Sequence, residues 1–211
     1  MKERRRRRGL LVVLEGVDGA GKSTLQRRLA RRWRTAGFEV RCTREPVDRE
    51  IGRFAQELGR QDPWNSALLF TVDRLLGRRR VERWLERRQV VLQDRSFYST
   101  LAYQGSALRA EEGRRVRVLQ DRLALAPDRV VLLEVPRPEA TRRRRTRGAR
   151  VAPLERDVVQ RRVARAYGRL AREEGWLVLE ASAPPEVLEA EADHALRPLL
   201  RRRLGPGRRR R

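Results

Sequence analysis

Residues 16–23 read Gly-Val-Asp-Gly-Ala-Gly-Lys-Ser, the spacing G-x-x-x-x-G-K-[ST]. Glycines at these positions let backbone N–H groups close around an anion, the lysine reaches the outer phosphates of a nucleotide, and the hydroxyl of Ser23 is placed to hold Mg2+. Of 52 basic residues only Lys2 and Lys22 are lysine. A compact ammonium fits between two phosphates where a planar guanidinium, suited to bidentate partners, does not. The residues from Gly16 through Val17, Asp18, Gly19, Ala20, Gly21, Lys22 and Ser23 to Thr24 are therefore the expected cradle for a nucleoside triphosphate. The bland alternative is a glycine turn with a solvated lysine. It leaves the flanks unexplained: Leu10–Leu14 is an apolar run fit for a buried strand, and residues 23–35 carry Leu25, Leu29, Ala30 and Trp33 at helical spacing. The helix N-terminus adds its partial positive charge to the loop.

The elements that must position this loop alternate along the chain. Strands are expected at 10–14, 39–43, 90–93, 130–133 and 176–179. Helices are expected at 23–35, 49–59, 64–88, 97–104, 111–125, from Pro136 through Arg147, at 155–174 and at 185–204. Strands separated by helices predict an α/β fold with a five-stranded parallel sheet covered on both faces and ligands at the carboxyl ends of its strands. Those ends gather Glu15 and the loop, Arg44-Glu45-Pro46, Asp94-Arg95 and the segment after Glu134. Asp94 closes an apolar strand, where a carboxylate can orient Mg2+ and its water. Arg44, Arg74 and Arg95 are candidate clamps for a second phosphate.

With 211 residues, 39% of them hydrophobic, the chain has material for one core, and the formal charge is +24. Much of that charge lies in Arg4–Arg8 and Arg208–Arg211, so residues 1–8 and 205–211 read as basic tails around one domain at 9–204. Aromatic residues are not interleaved with the basic runs, which argues against a single-strand nucleic-acid platform. The single cysteine, Cys42, allows no disulfide framework and is expected to be a small buried thiol. His194 is the single histidine, which makes a Ser-His or Cys-His hydrolase hard to build. The apolar run after the basic start is too short for a signal peptide and nothing approaches a membrane span, so a cytoplasmic protein is expected.

Five ordered motifs carry a resemblance. Leu11-Val-Val-Leu-Glu-Gly-Val-Asp-Gly-Ala-Gly-Lys-Ser-Thr24, Thr43-Arg-Glu-Pro46, Leu68-Leu-Phe-Thr-Val-Asp-Arg74, Asp94-Arg95 and Leu101-Ala-Tyr-Gln-Gly105 together resemble bacterial thymidylate kinases. Pro127–Glu134 and the run from Glu155 extend the likeness to nearly the whole chain. The resemblance implies the three-layer P-loop NTPase fold of nucleoside monophosphate kinases with an arginine-rich lid at about 142–154. It also implies ATP with Mg2+, dTMP as acceptor, dTDP as product and a homodimer, while composition leaves neither a specific nucleic acid nor a membrane as an expected partner.

Carried over by position, Phe70 would stack on thymine, Arg74 would bond its carbonyl edge, and Gln104 would help read the base. Thr100 joins this acceptor side. Tyr103 would stand where a ribose 2′-hydroxyl would go, Arg95 would grip the dTMP phosphate, Asp18 would lie near the acceptor's sugar and phosphate, and Glu45 near the metal and its waters. Ser23 and Asp94 are the metal candidates. Gly19 and Ala20 place the chain with relatives that supply arginines from the lid, where Arg147 and Arg150 are preferred, Arg143 comes third, and the rest of the basic run is expected to be solvated. Lys22, Asp18, Arg95, Arg147 and Arg150 form the expected catalytic set.

Two positions depart from the family pattern. Val47-Asp48 follows Arg-Glu-Pro where Gly-Gly is usual, and Ser96 follows Asp94-Arg95 where an aromatic or His is common. Asp-Arg-Ser also occurs in deoxynucleoside kinases, which need a carboxylate base for a neutral hydroxyl, so that activity is the alternative within enzymes. A divergent paralogue and a basic nucleic-acid-binding protein on a P-loop fold are the others. A GTPase would need a lysine after Lys22 in its base-reading motif, and none follows.

Overall fold

The computed structural model describes residues 9–146 and 155–207. Its strands are β1 (Leu10–Glu15), β2 (Val40–Arg44), β3 (Val90–Asp94), β4 (Arg129–Glu134) and β5 (Leu177–Glu180). Its helices are α1 (Lys22–Thr35), α2 (Arg49–Leu58), α3 (Pro63–Glu86), α4 (Phe97–Tyr103), α5 (Ala110–Leu123), α6 (Arg137–Arg145), α7 (Glu155–Glu174) and α8 (Pro185–Leu204). Every strand pairing is parallel, in the order β2-β3-β1-β4-β5. β1 is central and buried throughout, which is why its apolar run does not alternate.

Alternate residues of β1 feed two cores. Leu10, Val12 and Leu14 pack with α1 and α8 around Leu29, Trp33 and Leu196. Leu11 and Val13 pack with α3, α4 and α7 around Leu85, Phe97 and Tyr167. The α1–α8 contact is sealed by charge: Trp33 Nε1 donates to Asp193 Oδ1 at 2.7 Å, and Arg32 Nε to Asp193 Oδ2 at 2.9 Å. The parallel register puts the carboxyl ends of β1, β3 and β2 side by side, pairing Leu14 with Asp94 and Asp94 with Arg44.

The order of strands corrects one expectation. Cys42 is exposed, because β2 is an edge strand with only β3 beside it. His194 lies on the exposed face of α8. Helix α6 closes at Arg145, and Arg147 and Arg150 lie outside the described residues.

Candidate active site

The turn from β1 into α1 is possible only for glycine at two places. A Cβ on Gly16 (φ +140°) would stand 2.6 Å from the Leu133 carbonyl oxygen, and one on Gly19 (φ +90°) 2.5 Å from that of Ala140. The loop delivers α1 with no side-chain cap and no acidic residue in its first turn, so its leading N–H groups and dipole face outward for an anion. Lys22 is buried beneath them, its Nζ donating to the Gly16 and Val17 carbonyls at 2.9 Å each. Burial, reinforced by the nearby Arg95 charge and opposed by Asp18, Asp94 and Glu15, lowers its pKa to about 8.

At the end of β3, Asp94 Oδ2 accepts from Ser23 Oγ at 2.7 Å, while Asp94 Oδ1 is buried without a hydrogen-bond partner. A hydroxyl and a half-satisfied carboxylate beside a phosphate loop fit Mg2+, which takes one or two protein oxygens and completes its shell with phosphates and water. Among the described residues no group of three or more His, Cys, Asp or Glu could hold a metal as an all-protein cage.

Beside the loop lies a cavity of about 580 Å³ whose lining includes Glu45, Phe70, Arg74, Arg95, Thr100, Tyr103 and Gln104, every residue expected on the acceptor side. It shares Asp18, Gly19, Glu45 and Arg95 with an adjoining cavity of about 410 Å³ that contains Lys22, Ser23 and Asp94. Phe70 and Arg74 come from one face of α3, four residues apart, while Thr100, Tyr103 and Gln104 come from α4 and its end. Arg95 has a left-handed backbone (φ 71°), a conformation that costs a non-glycine residue about 1 kcal/mol. Its Nη2 pairs with Asp18 Oδ1 at 2.5 Å, and its guanidinium lies 5.2 Å from the centre of the Tyr103 ring. That pairing holds the Asp18 carboxyl below the usual range, against the effect of burial.

Arg74 is fixed on three sides. Its Nε donates to Glu45 Oε2 at 2.9 Å, Nη1 to Gln120 Oε1 at 2.6 Å and Nη2 to Thr100 Oγ1 at 3.1 Å. Burial pushes the Glu45 carboxyl up, and Arg74 opposes it. Glu45 also accepts from Gln93 Nε2 at 2.8 Å, so both its oxygens are engaged by protein groups where the two cavities meet.

Several participants were not evident in the sequence. Glu15 was legible as a charge ending an apolar run, but not as a hub for Ser96, Ser99 and Tyr167. Gln120, which holds Arg74, and Gln160, which lines the same cavity, carry no pattern that sets them apart from other helical glutamines. In the basic helix, Arg143 pairs with Glu139 and has Nη1 3.9 Å from where a Cβ on Gly21 would be. Arg144, expected to be solvated, is instead half-buried. It lines the 580 Å³ cavity near Gly19, and its Nε is buried without a partner.

Both departures from the family pattern have local accounts. Asp48 caps α2, accepting from Glu50 and Ile51 N–H groups, and the buried Asp73 accepts from the N–H groups of Val47 and Asp48 at 2.7 Å each. Asp73 thereby holds the turn that leads into α2. Ser96 caps α4, and both its N–H and its hydroxyl donate to Glu15, so its polar groups are spent inside the fold.

The family model described as Thymidylate kinase matches residues 14–192. A thymidylate kinase of Leifsonia xyli subsp. xyli is 40% identical over 199 residues, covering 88% of this chain and 93% of its own. One of Thermomicrobium roseum is 38% identical over 189 residues, covering 84% and 89%. A probable thymidylate kinase of Thermococcus gammatolerans is 37% identical over 178 residues, covering 77% and 83%. A match over residues 14–192 and identities of 37–40% over most of each chain show that the chain belongs to the thymidylate kinase family.

Proposed function

We propose that the protein transfers the γ-phosphoryl group of ATP to dTMP, giving dTDP and ADP. The observation that carries this reading is the continuity of the two cavities across Asp18 and Arg95, one around Lys22 and the other lined by all the expected acceptor residues. Both have the size range of small-molecule sites.

The loop amides and Lys22 hold the donor phosphates. Ser23 and Asp94 would hold Mg2+, which would supply neutralisation of charge on those phosphates. The acceptor is already an anion, so no general base is needed, and the residues act by aligning two phosphates and offsetting charge on the moving group. Arg95 grips the acceptor phosphate with Asp18 beside it, Arg74 and Gln104 read the base edge, Phe70 stacks on it, and Tyr103 excludes a 2′-hydroxyl. Arg144 and Arg143 of α6 contribute positive charge from the side of Gly19 and Gly21.

The chain acts as a cytoplasmic homodimer in this reading. Support for a second copy is the stripe of Val72, Leu75 and Leu76 on α3, exposed by 50, 38 and 62% at helical spacing, with Phe54 on the neighbouring α2. Light scattering at micromolar concentration checks it: a monomer would refute it. Among the described residues no helix is long and apolar enough to cross a membrane.

ADP release from MgATP with dTMP, dUMP, the ribose form of TMP and thymidine as acceptors, at about 0.15 M salt, tests the function. Turnover with dTMP far above the rest is expected. Turnover with thymidine alone would make it a nucleoside kinase, and none with any acceptor would refute the reading.

A further inference from the structure

Glu15 ends β1 with its side chain wholly buried, where a carboxylate is tolerated only if its oxygens are satisfied. They are. Oε1 accepts from the Ser96 N–H and hydroxyl at 2.8 Å each, and Oε2 from Ser99 Oγ at 2.7 Å and the Tyr167 hydroxyl at 2.8 Å. None of these donors is a cation, so charge pairing at contact distance does not explain the residue.

Two of the donors touch Arg95. Its Nη1 donates to Ser99 Oγ at 3.1 Å and to the Tyr167 hydroxyl at 3.4 Å. Ser99 and Tyr167 also stand 2.9 Å apart. A hydroxyl has one proton to give, and with these two protons taken up by Glu15 or by the contact between the hydroxyls themselves, each oxygen turns a lone pair toward the guanidinium. An apolar residue at position 15 would release those protons, and the hydroxyls could then present hydrogens to Arg95. The left-handed backbone of Arg95 makes such holding necessary, since the side chain leaves the end of β3 in a direction that the strand does not set. Its Nη2 remains on the cavity side with Asp18 and Tyr103.

We propose that Glu15 is a positioning residue of the acceptor site, holding Arg95 through Ser99 and Tyr167 in the direction that grips the acceptor's phosphate. This rests on the reading of Arg95 given under Proposed function. It also gives Ser96 a part, since its two bonds fix the other oxygen of the same carboxylate.

The sign of the effect separates positioning from simple electrostatics. Removing a negative charge near an anionic ligand would tighten binding if charge alone mattered, whereas loss of Arg95's orientation weakens it. Calorimetric dissociation constants for dTMP and for thymidine, which lacks the phosphate, are measured on wild type, Glu15→Gln, Ser99→Ala and the double variant, with KM for ATP and the thermal midpoint alongside. Each single variant is expected to weaken dTMP about tenfold while thymidine and ATP change by less than about twofold, and the double variant to be little worse than the weaker single one. Equal weakening of dTMP and thymidine would make Glu15 a structural anchor only, and tighter dTMP binding would make it a charge effect; either overturns the proposal. If Glu15→Gln does not fold, Ser99→Ala decides alone, since it leaves Glu15 bonded to Ser96 and Tyr167. A wild type that neither binds nor phosphorylates dTMP refutes the functional reading and this proposal with it. A competent wild type whose variants bind dTMP normally refutes this proposal alone.

Discussion

The two ends of the groove, to which the proposed function assigns the donor and the acceptor, are built on different plans. At the donor end the ligand-facing groups are mainly backbone, and Lys22 is held by carbonyls five and six residues before it. At the acceptor end side chains are held by other side chains far away in sequence. Arg74 reaches partners 26, 29 and 46 residues distant, and Arg95 reaches Tyr167 and Asp18 across 72 and 77. A triphosphate is the same in every nucleotide, so a short local loop suffices for it. A particular base and sugar need directed side chains, and rigid direction comes from a second layer of packing that only the finished fold supplies.

The sharpest test of this contrast is Lys22→Met, which should remove turnover by about 10³-fold or more, through the loss of a charge fixed at the moving phosphoryl. Because the donor end is held by backbone, the fold should not suffer. Lys22 has a folded pKa of about 8 against 10.5, so its charged form is disfavoured by folding, and the penalty is fully present below pH 8. That penalty is on the order of 3 kcal/mol, offset in part by its two bonds to carbonyls. The thermal midpoint of Lys22→Met at pH 7 is therefore expected to equal or exceed wild type. A drop of several degrees would mean that the loop depends on its lysine for structure.

The same shift predicts a pH profile. The free enzyme loses the Lys22 charge above about pH 8, so kcat/KM for ATP should fall about tenfold per pH unit beyond it. Bound phosphates raise that pKa, and kcat at saturating ATP should hold to higher pH. If both parameters break at the same pH, the titrating group lies elsewhere.

Gln120→Leu examines the other end. It takes an acceptor from Arg74 and a donor from Thr71 Oγ1 in a site with no exposure. The expected cost is about 1–3 kcal/mol of stability with KM for dTMP up about tenfold and KM for ATP unchanged. A variant that moves both KM values alike would show that the two ends are not separately built.

The contrast also accounts for what the sequence made legible. Residues 16–24 and Asp94 were readable because the phosphate loop is one contiguous motif and β3 ends where its apolar run ends. The acceptor residues came from resemblance, since Phe70 and Tyr103 have no local mark that separates them from core aromatics. Strand order was not readable, and for that reason the exposure of Cys42 on the edge strand was missed. Nor was the second layer: Gln120 and Tyr167 matter through partners 46 and 72 residues away, and helical periodicity marks only that they face inward.

The basic helix α6 shows how the same limit acts within one element. Arg142, Arg143, Arg144 and Arg145 are identical in sequence, and successive residues on a helix are turned by about 100°, so their fates must differ. Arg142 is 74% exposed at its side chain, with Glu139 3.8 Å away, and Arg144 lines the cavity over Gly19. Arg144 also helps to hold the Asp18 carboxyl down, after Arg95 and Lys22. Arg144→Ala is therefore expected to lower kcat/KM for dTMP by about five- to tenfold, the weight of one partly solvated charge-assisted contact. Arg142→Ala should change it by less than about twofold. Steady-state kinetics on the pair, at equal net charge, isolates position from charge. Equal losses would mean that α6 acts as a diffuse cationic field rather than through the one arginine that the helix turns toward the acceptor.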